Sequence, residues 1–372
     1  MLRVLVVIGT RPEAIKLAPV IHALQSRPHV QVRVCLTGQH RELLQQGLAD
    51  FAITPHHDLD LMEAGQSVND LAARVMVAMG PVLQQQPLDW VVVQGDTSSA
   101  MAAALAAFHH GVPVAHVEAG LRTGDPRQPW PEEINRRLIA QLADLHLAPT
   151  DGARANLERE GVHPSRVVVS GNTVIDAVKL ALAALDGNAK ADGEDEPATP
   201  MVLVTLHRRE NLTPDSLAQV ETALQTLARD HGCRVVFPYH PNPGLSSMVE
   251  RLSAFHPRLR MVPPMTYVPF VRLMAQADAI LTDSGGIQEE AAFLGKPVLI
   301  MRRLTERPEV LDGNAILVGT DSRTILDAVA RVLARPQDFH RPAGALQAFG
   351  DGGAAAIIAD ALTTHHHDRA RP

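Results

Sequence analysis

The chain is poor in the side chains on which several classes of partner depend. Aromatic residues make up 3% of the sequence, which leaves few rings for stacking on nucleobases. The net charge is −7, and Lys and Arg are scattered along the chain instead of forming the basic patch that binds a phosphate backbone. We therefore expect no nucleic-acid partner.

Cysteines and long apolar runs are also scarce. Cys35 and Cys233 each lie in an apolar, strand-like run, outside any Cys-x-x-Cys or metal-ligand pattern. Reduced, buried thiols in a cytoplasmic protein are the expected state. The N-terminal run from Leu2 to Ile8 is too short to span a membrane and leads into Gly9-Thr10-Arg11, so no membrane association is expected. The histidines at 365–367 are predicted to lie in a solvated, disordered tail.

Cofactor motifs are missing or stand in the wrong context. Residues 350–355 match the pattern Gly-x-Gly-x-x-Ala, but no predicted strand precedes them and the chain ends before an acidic partner could follow. The first predicted strand ends instead in Gly-Thr-Arg-Pro-Glu at 9–13. No His-Glu-x-x-His or comparable metal-ligand spacing occurs. We expect neither NAD nor a metal, and no other cofactor.

What the chain does contain is a regular alternation of short valine-rich runs and longer amphipathic segments. The runs predicted as strands are Val4–Ile8, Val32–Leu36, Trp90–Val93, Val114–Val117, Val167–Val169, Val202–Leu206, Arg234–Phe237, Ala279–Leu281 and Val298–Met301. Near-continuous apolar strands separated by helices are typical of parallel sheets covered on both faces, with ligands at the carboxyl ends of the strands. The prediction is α/β, with two Rossmann-like doubly wound domains.

The predicted first domain covers 1–172 and is joined by a C-terminal helix at about 351–364; the second covers 173–350. Between them, residues 187–197 are polar, acidic and punctuated by Gly and Pro, which predicts an external loop near the junction.

One segment, Thr-Asp-Ser-Gly-Gly-Ile-Gln-Glu-Glu at 282–290, predicts an anion site. It follows the apolar run Ala279–Leu281, so a buried strand turns into a helix through Ser284, Gly285 and Gly286. Glycines let backbone N–H groups approach a phosphate, and the helix N-terminus adds partial positive charge. Glu290, one turn farther along, can accept from a ribose diol. The pair suggests a nucleoside diphosphate; the alternative is an N-capped core helix whose glycines only relieve crowding.

Three carboxylates follow strand ends or open a helix in the first half. Asp96 follows the run Trp90–Val93, Glu118 follows Val114–Val117, and Glu132 opens a predicted helix. Each alone is explained by capping or by the helix dipole. Together around one cleft they predict an acid/base set.

Basic groups come from separate segments. Arg11 and Lys16 follow the first predicted strand, and His207-Arg208-Arg209 follows the strand at 202–206. If the two domains face each other across a cleft, these side chains can clamp the diphosphate, and His207 can act as an acid or a phosphate donor.

Together these segments resemble the non-hydrolysing UDP-N-acetylglucosamine 2-epimerases over nearly the whole chain. The matching segments are 9–16 (Gly-Thr-Arg-Pro-Glu-Ala-Ile-Lys), 37–41 (Thr-Gly-Gln-His-Arg), 95–97 (Gly-Asp-Thr), 117–122 (Val-Glu-Ala-Gly-Leu-Arg), 131–136 (Pro-Glu-Glu-Ile-Asn-Arg), 207–211 (His-Arg-Arg-Glu-Asn), 283–290 and 305–309 (Thr-Glu-Arg-Pro-Glu). The resemblance implies the GT-B, glycogen-phosphorylase-like fold and a homodimer. It also implies reversible conversion of UDP-GlcNAc to UDP-ManNAc for surface polysaccharide precursors.

The resemblance also implies roles for single residues. The catalytic set is Asp96, Glu118, Glu132 and His207, and the substrate-binding set is Arg11, Lys16, Met265, Phe270, Ser284, Gly285, Gly286, Glu290 and Arg307. A second UDP-GlcNAc is implied as an allosteric activator, at Gln39, Gln66, Arg208 and His240. The sequence departs from the family at Arg303-Leu304, where a polar pair is expected, and at Met265, whose backbone can still serve.

Three alternative functions share parts of this pattern. A retaining glycosyltransferase of the same architecture would use the same UDP site together with an acceptor pocket. An epimerase for a UDP-diacetamidouronic acid would share every motif. A non-catalytic nucleotide-sugar sensor would leave the three acids without a task.

Overall fold

The computed structural model describes residues 1–38, 41–63, 65–186, 199–239, 242–305, 307–311, 314–339, 341, 347 and 349–369. The chain divides into two compact units: unit 1 is Met1–Leu180 with Phe349–Pro372, and unit 2 is Ala181–Ala348. The boundaries predicted from the sequence, 1–172 and 173–350, stay a prediction. Within the described part of the chain, no helix combines the length and the apolar character that a membrane span requires.

Unit 1 is an α/β unit built on one parallel sheet. Its strands are β1 (Leu2–Ile8), β2 (Val30–Leu36), β3 (His57–Asp58), β4 (Trp90–Gln94), β5 (Val114–Val117), β6 (Leu145–Ala148) and β7 (Val167–Val169). Its helices are α1 (Arg11–Gln25), α2 (Arg41–Asp50), α3 (Val68–Gln84), α4 (Ser98–His109), α5 (Glu132–Leu142), α6 (Asp151–Arg159), α7 (Thr173–Asp186, which continues past the unit boundary) and, after unit 2, α14 (Ala354–Arg369).

The order β3-β2-β1-β4-β5-β6-β7 places β4 and β5 side by side, with Gln94 paired to Val117. Because all pairs are parallel, the residues that follow β1, β4 and β5 meet at one edge of the sheet. Asp96 follows β4 and Glu118 follows β5, so two of the three predicted acids lie at that edge, and Glu132 opens helix α5.

Unit 2 repeats the architecture. Its strands are β8 (Met201–Thr205), β9 (Arg234–Pro238), β10 (Leu259–Val262), β11 (Ala279–Thr282), β12 (Val298–Ile300) and β13 (Ala315–Leu317), in the order β10-β9-β8-β11-β12-β13. Its helices are α8 (Pro214–Arg229), α9 (Ser246–Ser253), α10 (Tyr267–Gln276), α11 (Gly285–Phe293), α12 (Ser322–Ala334) and α13 (Pro336–Phe339). β8 and β11 are neighbours, so the segments after them, which start at Leu206 and Asp283, meet at one edge.

The cores follow from strand composition. In unit 1, Leu5, Val7, Val91 and Val93 are buried against the alanine-rich helix α4, whose small side chains let it lie close to the sheet. In unit 2, alternate residues of β8, β9 and β11 form the corresponding core with α8 and α12. Removing this apolar area from water is the main stabilising term of each unit.

The predicted α/β class, with two doubly wound parallel sheets, is confirmed, and each predicted apolar run forms a strand. Four strands had not been predicted: β3, β6, β10 and β13 are two to four residues long, too short for a clear pattern. The loop predicted at 187–197 lies outside the described residues.

The tail prediction was wrong for the histidines at 365 and 366, because α14 runs on to Arg369. His365 Nδ1 lies 2.9 Å from the Ala361 carbonyl oxygen, and His366 Nδ1 lies 3.6 Å from Asp89 Oδ1. The helix therefore extends along unit 1 beyond its predicted end, and both histidines make contacts there.

Candidate active site

Glu118 lies at the centre of the polar edge of unit 1. Its carboxylate accepts from Lys16 Nζ at 2.7 Å to both oxygens, from Gln94 Nε2, and from Asn172 Nδ2 at 3.2 Å. Both members of the Lys16–Glu118 ion pair are buried. Removing charges from water is unfavourable unless they are paired and hydrogen-bonded, and here both conditions hold.

The backbone of Glu118 is left-handed, with φ of 62°, in a residue that is not glycine. Such a conformation costs about 1–3 kcal/mol and persists only where surrounding contacts impose it. The donors from α1, β4 and the segment after β7 supply those contacts. The carboxylate is therefore held in one place by three separate parts of the chain.

Asp96 follows β4 through Gly95 and is tied to α5. Arg136 Nε donates to Asp96 Oδ2 at 2.7 Å, and Asn135 Nδ2 donates to the Asp96 carbonyl oxygen at 2.9 Å. Arg136 also donates to the buried Glu133 at 2.9 Å. The Asp96 side chain is about a quarter exposed, so it stays accessible from solvent.

Glu132 is the first residue of α5, one helical turn before Arg136. Its neighbour Glu133 instead holds the preceding loop, accepting from the Thr123 N–H at 3.1 Å and the Gly124 N–H at 3.4 Å. The two adjacent glutamates thus have different surroundings: Glu133 is fully buried, whereas Glu132 is half-buried.

Arg11 and Lys16 both lie on α1. Arg11 is the first residue of the helix and is half-buried. Lys16 forms an ion pair with Glu118. The structure thus brings Lys16, a predicted substrate ligand, together with a predicted catalytic acid within unit 1.

In unit 2, the N-terminus of α11 has no side-chain cap. Ser284 is the N-cap residue, and no hydrogen bond joins its side chain to the first turn of the helix. Its N–H is held by the Thr282 hydroxyl at 3.0 Å. A Cβ added at Gly286 would meet no described atom within 4 Å. The first-turn amides and the helix dipole therefore point into a space that a phosphate group can enter.

The residues predicted to contact the nucleoside lie on α10 and α11 or, for Met265, just before α10. Glu290 Oε1 accepts from the Tyr267 hydroxyl at 2.7 Å, and both side chains are buried. Phe270 lies one turn after Tyr267 and is half-buried, and Met265 precedes α10 by two residues. The hydroxyl of Tyr267 fixes one oxygen of Glu290, a contact that the sequence pattern did not reveal.

Arg307 is buried beside α11, where its Nε donates to Oε1 of the fully buried Glu289. Its N–H donates to the Thr305 hydroxyl at 3.1 Å, and that hydroxyl donates to Gln288 Oε1 at 2.7 Å. Consecutive residues of α11 thus anchor the segment that carries Arg307.

Asp283 organises the segment after β8. It is fully buried and accepts from the N–H groups of His207 and Arg208, the latter at 2.9 Å, and from Asn211 Nδ2 at 3.1 Å. His207 Nδ1 lies 3.2 Å from Asp283 Oδ1. Although burial opposes it, the hydrogen bonds and charge of His207 and the backbone donors hold the pKa of Asp283 below its usual value. Asp283 therefore orients His207, which is about a third exposed.

Of the residues implied for the activator site, two lie outside the described part of the chain: Gln39 and His240. Gln66 is half-buried, and its Nε2 lies 2.9 Å from the sulfur of Met62. Arg208 is held through its backbone to Asp283. Gln66 belongs to unit 1 and Arg208 to unit 2.

Two buried histidines lie next to each other on β5 and β6. His116 and His146 are paired in register and fully buried, and His116 Nε2 lies 2.7 Å from the Gly95 carbonyl oxygen. Burial lowers the pKa of His116 to about 4 and that of His146 to about 3, so both rings are neutral near pH 7. His116 thus supports the Gly95 turn, and neither ring adds charge to the site.

Within the described ranges, no cluster of three His, Cys, Asp or Glu side chains is arranged to hold a metal ion. The expectations of no metal and no cofactor stay predictions.

Several polar residues of the site were missed by the sequence analysis: Glu13, Gln94, Arg136, Asn172 and Asp283. Gln94 carried a signal, since a polar residue ended an otherwise apolar strand, and Asp283 stood inside a quoted motif. Asn172 carried none, because its partner Glu118 lies 54 residues away in the sequence.

Comparison with known proteins identifies one family. The profile of the family described as UDP-N-acetylglucosamine 2-epimerase matches residues 22–363. A UDP-N-acetylglucosamine 2-epimerase of Yersinia pestis is 46% identical over 98% of this chain and 99% of its own length.

Solved structures agree in fold and extent. The UDP-GlcNAc 2-epimerase of Neisseria meningitidis, crystallised with UDP-GlcNAc bound, superposes with a TM-score of 0.92 at 39% identity, over 98% of this chain and 100% of its own. A glycosyltransferase of kitacinnamycin, at 13% identity, shares the fold alone, with a TM-score of 0.65 over 98% of each chain.

Proposed function

The chain belongs to the UDP-N-acetylglucosamine 2-epimerase family, and on that premise we propose that it interconverts UDP-GlcNAc and UDP-ManNAc by inverting C2 of the sugar. The observation that carries the proposal is the combination of acids held at the strand ends of unit 1 with an uncapped helix start in unit 2. The first supplies groups that move protons, and the second supplies a site for a diphosphate.

The diphosphate is assigned to the N-terminus of α11. Ser284, Gly285 and Gly286 offer a hydroxyl and backbone N–H groups, and the absence of a side-chain cap supports this assignment. Glu290, oriented by Tyr267, is assigned to the ribose, and Phe270 to the vicinity of the uracil. Arg11, Arg307 and the backbone of Met265 complete the proposed substrate set.

The chemistry follows from the acidity of C2. A C2–H bond that is not adjacent to a carbonyl is too weakly acidic for direct deprotonation and return. In anti elimination, a carboxylate takes the C2 proton, the C–H electron pair forms the C1–C2 double bond, and the C1–O pair leaves with UDP. The product is 2-acetamidoglucal. UDP then adds back at C1 while a proton reaches the opposite face of C2.

The acids are assigned by their surroundings. Asp96, whose side chain is about a quarter exposed, and Glu132, which is half-buried, are proposed to act on opposite faces of C2. Glu118, surrounded by Lys16, Gln94 and Asn172, is proposed to position the sugar or relay charge between them. His207, oriented by Asp283, is proposed to assist the leaving diphosphate as a donor.

A second UDP-GlcNAc is proposed to activate the enzyme, using Gln39, Gln66, Arg208 and His240. Rates would then be sigmoidal in UDP-GlcNAc, and the reverse reaction would stall without a trace of that sugar. Hyperbolic kinetics together with unaided reversal from pure UDP-ManNAc would remove the activator from the account.

We also propose a homodimer that works in the cytoplasm. Three neighbouring helices of unit 1 expose large apolar side chains, Val77 on α3, Phe108 on α4 and Leu138 on α5, which supports a second copy as the partner. The free, buried Cys35 and Cys233 support a reducing compartment. Light scattering should give twice the 40.1 kDa chain mass, and a Val77→Glu variant should shift toward the monomer.

The test of the function is proton NMR of the purified chain with UDP-GlcNAc as the only added substrate. The expected result is an equilibrium mixture containing UDP-ManNAc. Turnover only after addition of a sugar acceptor would indicate a glycosyltransferase, and turnover only of a UDP-diacetamidouronic acid would change the substrate. Binding without any turnover would indicate a sensor.

A further inference from the structure

Glu13 is a buried carboxyl at the polar edge of unit 1 with no cationic partner among the described residues. Its oxygens accept from the N–H groups of Gly9 and Thr10, at 2.5 and 2.8 Å, and from the Thr97 hydroxyl at 2.6 Å. The other acids of this edge are paired, Glu118 with Lys16 and Asp96 with Arg136. A carboxyl buried with neutral donors alone is costly, which calls for a structural reason.

A helix cap explains only part of this arrangement. Thr10 is the N-cap of α1, and Glu13, three residues on, reaches back to the Thr10 N–H in a capping box. The bonds from Gly9 and from Thr97 go beyond that cap. Thr97 is the N-cap of a different helix, α4, and lies 84 residues away in the sequence.

The Glu13–Thr97 bond therefore joins two helix starts that carry the proposed chemistry. On one side, α1 carries Lys16, which holds Glu118. On the other side, Thr97 directly follows Asp96 in the chain. Through Thr97 and Lys16, Glu13 can fix Asp96 relative to Glu118 without a bond between the Asp96 and Glu118 side chains.

The packing around Gly9 shows how closely the segments meet. A Cβ at Gly9 would lie 2.8 Å from Ser99 Cβ and 3.1 Å from Glu13 Oε2. Only glycine lets the end of β1 approach the first turn of α4 with the Glu13 carboxyl beside it.

The charges around Glu13 agree with a structural bridge. Burial, partly offset by the bonds from Thr97, Gly9 and Thr10 and reinforced by the charge of Asp96, raises the pKa of Glu13 to about 7. Asp96 is thus close enough to act on Glu13 electrostatically.

We propose that Glu13 is a positioning residue for the epimerisation, which holds Asp96 in place relative to the Lys16–Glu118 pair through its bond to Thr97. The inference rests on the proposed function. Misplacing a reacting group by about 1 Å can lower turnover about a hundredfold, so a lost bridge should appear in kcat. UDP affinity should change much less than kcat, because most of the proposed substrate ligands lie in unit 2 and only Arg11 and Lys16 lie on α1.

The experiment compares wild type with four variants: Glu13→Gln, Thr97→Val, Thr97→Ser and, as a control, Thr150→Val. Thr150 caps α6 in the same unit through the Ala153 N–H, away from Glu13, so its loss removes a cap without touching the bridge. For each protein, kcat and KM for UDP-GlcNAc, the Kd of UDP and the Tm are measured.

Glu13→Gln and Thr97→Val should lower kcat about ten- to a hundredfold, with the Kd of UDP within about twofold of wild type. Thr97→Ser, which keeps the hydroxyl, should restore kcat to within about threefold. Thr150→Val should lose a similar amount of thermal stability to Thr97→Val but keep kcat within about twofold.

Normal kcat in Glu13→Gln would overturn the assignment, as would a Thr97→Ser variant as slow as Thr97→Val, or a Thr150→Val variant that loses kcat equally. An inactive wild-type chain would overturn the proposed function itself, and this inference with it. Active wild type with unimpaired variants would overturn the inference alone.

Discussion

The strand-to-helix turns of the two units share one backbone plan but end in different chemistry. In unit 1, the starts of α1 and α4 are closed by side chains, Thr10 with Glu13 and Thr97. In unit 2, the start of α11 carries no side-chain cap, and its glycines leave the amides approachable. A closed turn fixes the groups around it, whereas an open turn is free to bind an anion.

The two units thus offer different groups on one architecture: paired carboxyls in unit 1 and an approachable helix N-terminus in unit 2. In unit 1, Arg136 on α5 fixes Asp96 and Lys16 on α1 fixes Glu118, which suits the proton transfer proposed for this edge. In unit 2, Glu289 on α11 instead orients Arg307, and Asp283, just before that helix, orients His207. In the proposed mechanism, acids therefore act directly in unit 1 and through cationic or donor groups in unit 2.

The largest expected effect is on kcat and comes from the paired carboxyls of unit 1. Glu118→Gln should lower kcat by about two to four powers of ten, because it removes an anion placed at the sugar chemistry, while the Kd of UDP changes little. NMR of reactions quenched at set times gives kcat, and calorimetric titration gives the Kd of UDP.

The matched control is Glu221→Gln, which loses an ion pair with Arg251 in unit 2. It should keep kcat within about twofold. Near-normal turnover in Glu118→Gln, or an equal loss of kcat in Glu221→Gln, would contradict the proposal that the acids of unit 1 carry the chemistry.

The next effect is on the open side. Gly286→Ala should weaken UDP binding about tenfold or more, because the methyl group would occupy the space through which a phosphate reaches the first-turn amides. Since that methyl would meet no described atom within 4 Å in the protein itself, the Tm should stay within about 2 °C.

Gly80→Ala on α3, whose added Cβ would lie 3.7 Å from His110, provides the control and should leave the Kd of UDP unchanged. Undiminished UDP affinity in Gly286→Ala would place the diphosphate elsewhere.

The smallest effect is on the pH dependence of Tm and comes from the buried Glu13. The folded pKa of Glu13 is about 7, above the ordinary 4.5, so its contribution to stability is present below about pH 4.5 and is lost as pH rises through 7. Glu13→Gln does not titrate. The Tm of the variant minus that of wild type should therefore increase, by roughly 2 °C or more, between pH 5 and pH 8.

Differential scanning calorimetry at four pH values measures this shift. A difference that stays constant across the range would mean that the carboxyl is solvated or paired with a cation.

Local pattern predicted the parts of this comparison that are local. The turn at 282–286, the acids at Asp96 and Glu118, and the strands that precede them were read from runs and spacing. The capping box from Thr10 to Glu13 is also a readable pattern. Its second partner, Thr97, is not, because nothing in either segment specifies the other across 84 residues.

The same limit applies to Gln94 and Asn172, which meet Glu118 only through strand order and the chain path after β7. It also applies to β6, where His146 interrupts a four-residue apolar run. Tertiary pairing, which a single sequence does not display, fixes these residues.

Inversion of C2 through elimination can be tested by running the reaction in deuterated water. Carboxylates accessible to solvent exchange their protons faster than a turnover of roughly 1 to 1,000 per second. Mass spectrometry and NMR of the UDP-ManNAc formed should therefore show one deuterium at C2, unchanged by dialysis or EDTA. Product that keeps its original hydrogen at C2 would indicate an internal hydride carrier and contradict the account.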